Sequence, residues 1–231
     1  MLEEVILNSA ASGVFISLAA YGIGVLVKRR WNTALANPLM IAIILVILFL
    51  LATGTDYETY NASAKYLSYL LAPATVSLAI PMYDRLHLLK ENYRAILTGI
   101  LSGVAASLLT VLALALLFGL TRAEYVTLLP KSVTTAIGMG VSAEAGGIVT
   151  ITVISIVITG ILGNIIAEPV TGLFRITDPV AKGLAIGTSA HAIGTVKALE
   201  MGEVEGAMSS LAVAVAGLVT VLVVPFAAGL Y

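Results

Sequence analysis

Residues 95–121, AILTGILSGVAASLLTVLALALLFGLT, run for 27 positions without a charged side chain. A bilayer core of ~30 Å is crossed by about 20 helical residues at 1.5 Å each, so this run is long enough to span a membrane. Its glycine, alanine and serine residues allow neighbouring helices to pack closely. We therefore interpret 95–121 as a transmembrane helix.

The rest of the chain repeats this pattern. Only 11% of its 231 residues are charged and 59% are hydrophobic, whereas about 25% are charged in soluble domains. The runs also lack the ten-residue alternation of a membrane β-barrel. The sequence excludes a soluble monomer and predicts an all-α polytopic membrane protein with about six full transmembrane helices. The other five charge-free runs are 5–27, 31–55, 66–83, 145–167 and 206–231.

Composition also limits the chemistry. The chain has no cysteine, which excludes disulfides, thiolate metal sites and thiol nucleophiles. It carries no HExxH motif, no metal cluster and no carboxylate at a spacing that marks a catalytic triad. No basic face for nucleic acid is present. We expect no enzymatic activity, catalytic residue, cofactor or metal, and the lipid bilayer is the predicted surroundings.

Basic residues set the predicted orientation. Lys28, Arg29 and Arg30 follow the first run, whereas Glu3 and Glu4 precede it. The positive-inside bias therefore places the N-terminus outside a cell membrane. The acidic start does not resemble a signal peptide, so we expect the first span to be retained. Residues 84–94 are predicted to form a short amphipathic helix on the inner surface.

Internal repeats divide the single predicted membrane domain, residues 1–231. PATVSLAIPM at 73–82 aligns without gaps on PKSVTTAIGM at 130–139, and GTSAHAIG at 187–194 is a weaker third copy. Each broken segment precedes a hydrophobic span, as in secondary transporters. The alternative is ordinary proline kinks and chance matches. The predicted parts are 1–65, 66–120, 126–166 and 181–231, with backbone breaks at Pro73, Pro81, Pro130, Gly138, Gly187 and Gly194.

Two charge-free intervals, 132–143 and 183–196, are too short to cross as simple helices. We expect them to be re-entrant or broken segments that enter from opposite sides as an inverted pair. Loop charges favour this topology. It leaves two basic residues outside, Lys65 and Arg122, whereas crossing by both segments would give six inside and four outside. The eight predicted inside are Lys28, Arg29, Arg30, Arg85, Lys90, Arg94, Arg175 and Lys182.

The first interval predicts an anion site. A half-helix that begins at Pro130 would direct free N–H groups at an anion. Lys131 stands at that end, followed by the hydroxyls of Ser132, Thr134 and Thr135. A lysine at membrane depth is costly and marks a substrate, an ion or a buried partner. The alternative is that Lys131 extends to the outer headgroups.

The second interval surrounds His191 with small residues and with the hydroxyls of Thr188, Ser189 and Thr195. Imidazole titrates near neutral pH, which suits a proton-coupled step. The alternative is a histidine that packs between helices and binds a carbonyl. The carboxylates Glu144, Glu203 and Glu205 are interpreted as solvated loop charges, and a cation-coupling role for Glu144 stays open.

Several motifs together resemble one family. LPKSVTTAIGM at 129–139, KGLAIGTSAHAIGT at 182–195 and EMGEVEGAMSSLA at 200–212 are similar to the LrgB/CidB family of bacterial membrane proteins, which includes the YohK type. NPL at 37–39 and LAPATVSLAIPMY at 71–83 extend the resemblance over essentially the whole chain. Ala136 departs from the family, in which many members carry proline after the Thr-Thr pair.

The resemblance implies two functions. The family is named antiholin-like for effects on murein hydrolases and autolysis, and is typically encoded beside a small LrgA/CidA-type membrane partner. Related bacterial pairs are linked to pyruvate uptake, and the plastid glycolate/glycerate translocator fuses both halves. We expect a proton-coupled secondary transporter of small monocarboxylates, acting with that partner or as a homo-oligomer. The alternative is a regulator without transport. The expected substrate-binding residues are Lys131, Ser132, Thr134, Thr135, Thr188, Ser189, His191 and Thr195.

Overall fold

The computed structural model describes residues 11–31, 33, 36–77 and 79–231. All regular structure in these residues is helical. The chain divides into two compact units, Met1–Ser77 and Leu78–Tyr231. The boundary falls within the predicted part 66–120.

The first unit is built on an antiparallel pair of helices. Asn37 caps the second helix through its side-chain oxygen, Pro38 is its first residue, and Gly54 ends it with φ of 64°. Gly24 lies against Pro38, where a Cβ atom would come within 2.5 Å of the carbonyl oxygen. The helices are α1 (Ser12–Trp31), α2 (Pro38–Thr53), α3 (Tyr57–Ala64), a 3-10 helix (Lys65–Leu70) and α4 (Leu71–Ser77).

The described part of the second unit contains four helices of 23 to 26 residues and four shorter ones. In chain order these are α5 (Ala79–Asp84), α6 (Leu86–Glu91), α7 (Tyr93–Phe118), α8 (Arg122–Leu128), α9 (Thr135–Glu144), α10 (Val149–Leu173), α11 (Pro179–Met201) and α12 (Glu203–Ala227).

Four described helices, α1, α7, α10 and α12, are long and apolar enough to cross a membrane. They account for four of the six predicted spans, although residues 1–10 of the first lie outside the described part. Helix α2 covers the second run but has only 16 residues. The third, 66–83, is divided among the 3-10 helix, α4 and α5 rather than one long helix. Pro73 and Pro81 each stand third in a short helix, where a proline is tolerated because the first N–H groups have no intrahelical partner.

The second unit has two recognisable ends. Asn92, Asp178 and Val204 line one cavity, so α7, α11 and α12 all begin at what we call the Asp178 end. At the opposite Tyr231 end, the Tyr125 hydroxyl donates to Ala227 O at 2.9 Å. Helices α7 and α12 therefore run from the Asp178 end to the Tyr231 end, and α10 runs back.

Candidate functional site

Helices α8 and α9 form a re-entrant hairpin, which we call hairpin 1 (residues 122–144). Helix α8 begins at the Tyr231 end, where Arg122 donates to Tyr231 O at 2.9 Å. Helix α9 returns beside α10. Gly138 lies against Ile156, and further along Ser142 Oγ accepts a hydrogen bond from Thr152 Oγ1 at 2.6 Å. Hairpin 1 thus enters and leaves at the same end.

The turn of hairpin 1 lies at residues 129–134. Its backbone is held by bonds from Lys131 N to Leu128 O (3.2 Å) and from Val133 N to Pro130 O (3.3 Å). Helix α9 begins at Thr135 rather than at Pro130 as expected, because Pro130 belongs to this turn. Thr134 caps α9 without a side-chain hydrogen bond, so the first N–H groups of the half-helix donate none to that hydroxyl.

Helix α11 is broken at His191, whose φ of 43° and ψ of −145° are not helical. On the first limb Gly187 packs against Ser209 of α12, where a Cβ atom would come within 2.4 Å of Ser209 O. On the second limb Thr195 Oγ1 bonds the same residue's Oγ at 2.8 Å. Because residues on both sides of His191 meet Ser209, the limbs run in opposite directions.

This second hairpin, hairpin 2 (residues 179–201), enters from the Asp178 end. Gly183 on the first limb packs against Glu205, and Leu199 on the second limb packs against Gly206. Both contacts lie at the start of α12. The two hairpins therefore enter the unit from opposite ends.

Three side-chain hydrogen bonds, two of them with α10, stabilise the break at His191. His191 Nε2 donates to Ile156 O at 2.9 Å, since a carbonyl oxygen can only accept. Thr195 Oγ1 donates to His191 O at 3.0 Å, and Asn164 Nδ2 donates to Ile193 O at 3.0 Å. These bonds satisfy carbonyls near the break, which would otherwise be costly within lipid.

Glycines on α10 make room for the break. A Cβ atom on Gly160 would lie 2.7 Å from Cε1 of His191, and one on Gly163 would touch the Ala190 side chain. Sequence reasoning expected the break at Gly187 and Gly194, but Gly187 serves close packing on α12 and Gly194 packs against Ala190 within hairpin 2.

The tips of the two hairpins meet near the middle of α7. Ser132 Oγ in the first tip lies 3.3 Å from Ser107 Oγ, and Lys131 Nζ donates to Ser132 Oγ at 3.1 Å. Ser132 and Thr188 line the same small cavity of about 10 Å³. The Lys131 ammonium and the His191 ring are close enough to interact electrostatically. This position beside mid-helix residues does not favour the alternative in which Lys131 extends to the headgroups.

Lys131 faces a cavity of about 400 Å³, which we call the Lys131 pocket. Helix α10 supplies one wall, from Thr159 to Thr171, and hairpin 2 supplies Ser189. Lys131 is half-buried, and no carboxylate of the described residues pairs with it. Salt bridges between described residues join Arg85 to Glu203, and Lys197 to Glu168 and Glu200.

A larger cavity of about 940 Å³ extends from the Asp178 end. Asn92 and Asp178 line it at that end, and Ala106 and Thr188 line it near the hairpin tips. Thr188 also borders the small cavity next to Ser132. The larger cavity therefore extends from the Asp178 end of the unit to Thr188, which borders the small cavity next to Ser132 and Lys131.

The structure brings five predicted site residues together, namely Lys131, Ser132, Thr188, Ser189 and His191. The Thr188 and Ser189 hydroxyls donate to their own helix, at 2.7 Å to Leu184 O and Ala185 O respectively.

The other three predicted residues do not line these cavities. Thr134 and Thr135 are half-buried at the start of α9. Thr195 is fully buried against Ser209. Glu144 is exposed, as expected for a solvated charge. Among the described residues no group of His, Asp and Glu side chains could hold a metal ion.

Sequence reasoning missed several contributors, chiefly Ser107, Thr159, Gly160 and Asn164. Asn164 had a visible signal, because it is the only amide in the charge-free run 145–167. The others look like ordinary small residues of a span, and only their contacts with the hairpin tips distinguish them.

These features define a multi-pass helical membrane protein with two oppositely directed helical hairpins around a half-buried lysine. The chain belongs to the LrgB-like family, whose model matches residues 17–230. It is 40% identical over 214 residues to the antiholin-like protein LrgB of Bacillus cereus strain B4264, covering 92% of this chain and 93% of that protein. The same figures hold for the antiholin-like protein LrgB of Bacillus anthracis strain CDC 684. The resemblance inferred from the motifs is thereby confirmed. No solved structure matches the chain significantly.

Proposed function

We propose that this protein is a secondary transporter of small monocarboxylates of the pyruvate, glycolate and glycerate class. The supporting observation is the half-buried Lys131 ammonium, which faces a cavity of about 400 Å³ and has no carboxylate partner among the described residues. An unpaired charge at this depth is costly, and a substrate carboxylate would neutralise it. Ser132 already bonds the ammonium and fixes its direction.

The hairpins provide a physical basis for alternating access. Each enters from a different end, and their tips meet beside Lys131. In secondary transporters, binding sites lie where discontinuous helices meet near the membrane middle, and one part moves against another around the site. The cavity from the Asp178 end reaches Thr188, so this structure has its larger opening on that side.

Proton coupling is proposed for His191. Its Nε2–H is committed to Ile156 O, which makes Nδ1 the acceptor in the neutral ring. Among the described residues Nδ1 has no hydrogen-bond partner. Protonation there would place a second positive charge near Lys131, which favours binding of an anion together with a proton.

Membrane surroundings and partners complete the proposal. We place the protein in the cell membrane with the Asp178 end in the cytoplasm, because Arg85, Arg175 and Lys182 lie towards that end. Arg85 there pairs with Glu203. On a separate basis, the basic residues Lys28, Arg29 and Arg30 after the first charge-free run, we propose that the N-terminus is outside. Family resemblance adds an LrgA/CidA-type membrane protein as the working partner, with a homo-oligomer as the other assembly.

A second function is favoured by the names of the relatives. Proteins 40% identical over most of the chain are called antiholin-like. A regulator of murein hydrolases and autolysis would bring no saturable solute uptake. It would also tolerate substitutions in 130–139 provided that the spans still insert.

Replacing Lys131 by alanine distinguishes these functions. Uptake of labelled pyruvate and glycolate is measured in vesicles that carry the chain, with its partner co-expressed. A hydrogen bond to a charged group contributes about 1.5–3 kcal/mol, so K131A should weaken apparent affinity by roughly 10- to 150-fold. The matched control is K90A, since Lys90 is exposed on α6.

Saturable uptake that is lost in K131A and kept in K90A supports the transporter. Absence of saturable uptake by the wild-type chain with its partner present contradicts it, and unchanged uptake by K131A contradicts the site.

A further inference from the structure

Three hydroxyl groups line the Lys131 pocket, and they differ in their hydrogen bonds. Thr171 Oγ1 donates to Ala167 O at 2.9 Å, and Ser189 Oγ donates to Ala185 O at 2.7 Å. Thr159 also lines the pocket, but among the described residues its hydroxyl has no hydrogen-bond partner. It is therefore the pocket hydroxyl whose donor is free for a ligand.

The break in hairpin 2 contributes to the freedom of Thr159. A threonine within a helix usually bonds the carbonyl three or four residues earlier, as Thr110 does with Ala106 O at 2.7 Å. For Thr159 one of these two carbonyls is Ile156 O, which already accepts His191 Nε2. The histidine that holds the hairpin tip against α10 thus competes for a bond that Thr159 would otherwise make.

A free hydroxyl and an ammonium that line the same pocket match a particular substrate chemistry. A 2-oxo or 2-hydroxy acid carries a carboxylate and a second oxygen on the adjacent carbon. The ammonium of Lys131 takes the carboxylate, and a threonine hydroxyl can donate to a keto oxygen or exchange a hydrogen bond with an alcohol.

We propose that Thr159 is a specificity-determining residue that recognises the oxygen on C2 of the substrate. This inference rests on the proposed transport of monocarboxylates. An unsubstituted acid such as propionate would occupy the pocket without satisfying Thr159. A site that bonds a substrate oxygen discriminates against analogues that lack it, because a polar group is then left unpaired.

The test compares pyruvate with propionate as competitors of labelled pyruvate uptake in vesicles that carry the full chain and its partner. The ratio of their apparent affinities does not depend on how much protein each variant yields. Thr159→Val keeps the shape of the side chain and removes the hydroxyl. We expect it to reduce the preference for pyruvate by about 3- to 10-fold. Thr159→Ser should restore the preference.

Thr171→Val is the matched control, since that hydroxyl lines the same wall but bonds its own helix. An unchanged pyruvate-to-propionate ratio in Thr159→Val overturns the inference and leaves the proposed transport standing. An equal loss in Thr171→Val also overturns it, because the effect would not be specific to the free hydroxyl. Wild-type vesicles without saturable pyruvate uptake would refute the proposed function and with it this role of Thr159.

Discussion

Replacing Gly160 by alanine tests the contact between α10 and the tip of hairpin 2. The added Cβ atom would lie 2.7 Å from His191 Cε1, 2.9 Å from His191 Nε2 and 2.8 Å from Ile193 Cβ. None of these atoms is the far end of a flexible chain, because one belongs to a branch point and two to an imidazole ring. The tip must therefore move away from α10, which lengthens the bond from His191 Nε2 to Ile156 O.

The expected cost follows from overpacking. Inserting a methyl group into a packed contact lowers the free energy of unfolding by about 1–3 kcal/mol. For a chain of this size each kcal/mol lowers the melting temperature by roughly 2–4 °C, so overpacking alone would lower that of Gly160→Ala by roughly 2–12 °C. The intrinsic preference of helices for alanine over glycine opposes this by up to about 1 kcal/mol, which makes a loss of stability the more informative result.

Gly172→Ala provides a control on the same helix, because nothing lies within 4 Å of a Cβ atom there. Melting of the purified protein in detergent is followed by the loss of its monodisperse peak on size-exclusion chromatography. We expect Gly160→Ala to melt below wild type and Gly172→Ala to melt at or above it. Equal melting of both variants would refute the proposed packing at the break.

Two further predictions concern the cavity and the cap of α3. Because the chain has no cysteine, Ser102→Cys in the large cavity should react with a charged, impermeant thiol reagent added at the cytoplasmic face. Leu109→Cys, on the exposed surface of α7 outside that cavity, should not react, and equal labelling would contradict the cavity. The Thr59 hydroxyl and then its N–H lower the pKa of Asp56, so this carboxylate stabilises the fold above the ordinary aspartate pKa and loses its effect as the pH falls through the lowered value. Asp56→Asn should therefore melt below wild type at neutral pH, with a difference that closes in acid; a constant difference would exclude the charge as its cause.

The long spans were predictable because hydrophobic length alone specifies them. Helices α7, α10 and α12 follow the charge-free runs 95–121, 145–167 and 206–231 closely. The run 66–83 has the same composition but contains Pro73 and Pro81, and it is described as short helices. A count of charges does not register these prolines, each of which lacks the backbone N–H that a helix extending further before it would use.

Interruptions of the helices at 132–143 and 183–196 were predictable, because these charge-free intervals are too short to cross a membrane as simple helices. The site of the second break was not. His191 is not a residue that favours positive φ as glycine does, and Gly187 and Gly194 lie on either side of it. Tertiary contacts determine the position, because His191 Nε2 reaches Ile156 O and Gly160 leaves room for its ring.

Hydroxyl roles were the least predictable part of the site. Thr188, Ser189 and Thr195 all lie near His191 in sequence, yet the first two bond their own helix and Thr195 bonds His191 O and Ser209. Composition cannot distinguish a committed hydroxyl from a free one. Thr159 lies 32 positions before His191 in the sequence. It becomes relevant only because the fold packs His191 against α10, the helix that carries Thr159.

Ile156 contacts the structures on both sides of the candidate site. Its side chain packs against Gly138 in hairpin 1, where a Cβ atom would clash with it, and its carbonyl oxygen accepts His191 Nε2 in hairpin 2. Alternating access requires that opening on one side be linked to closing on the other. A rotation of α10 that releases His191 would also move the Ile156 side chain against Gly138. The same rotation would free Ile156 O for the Thr159 hydroxyl, so the proposed recognition of substrate and the bond that holds the tip of hairpin 2 depend on one carbonyl.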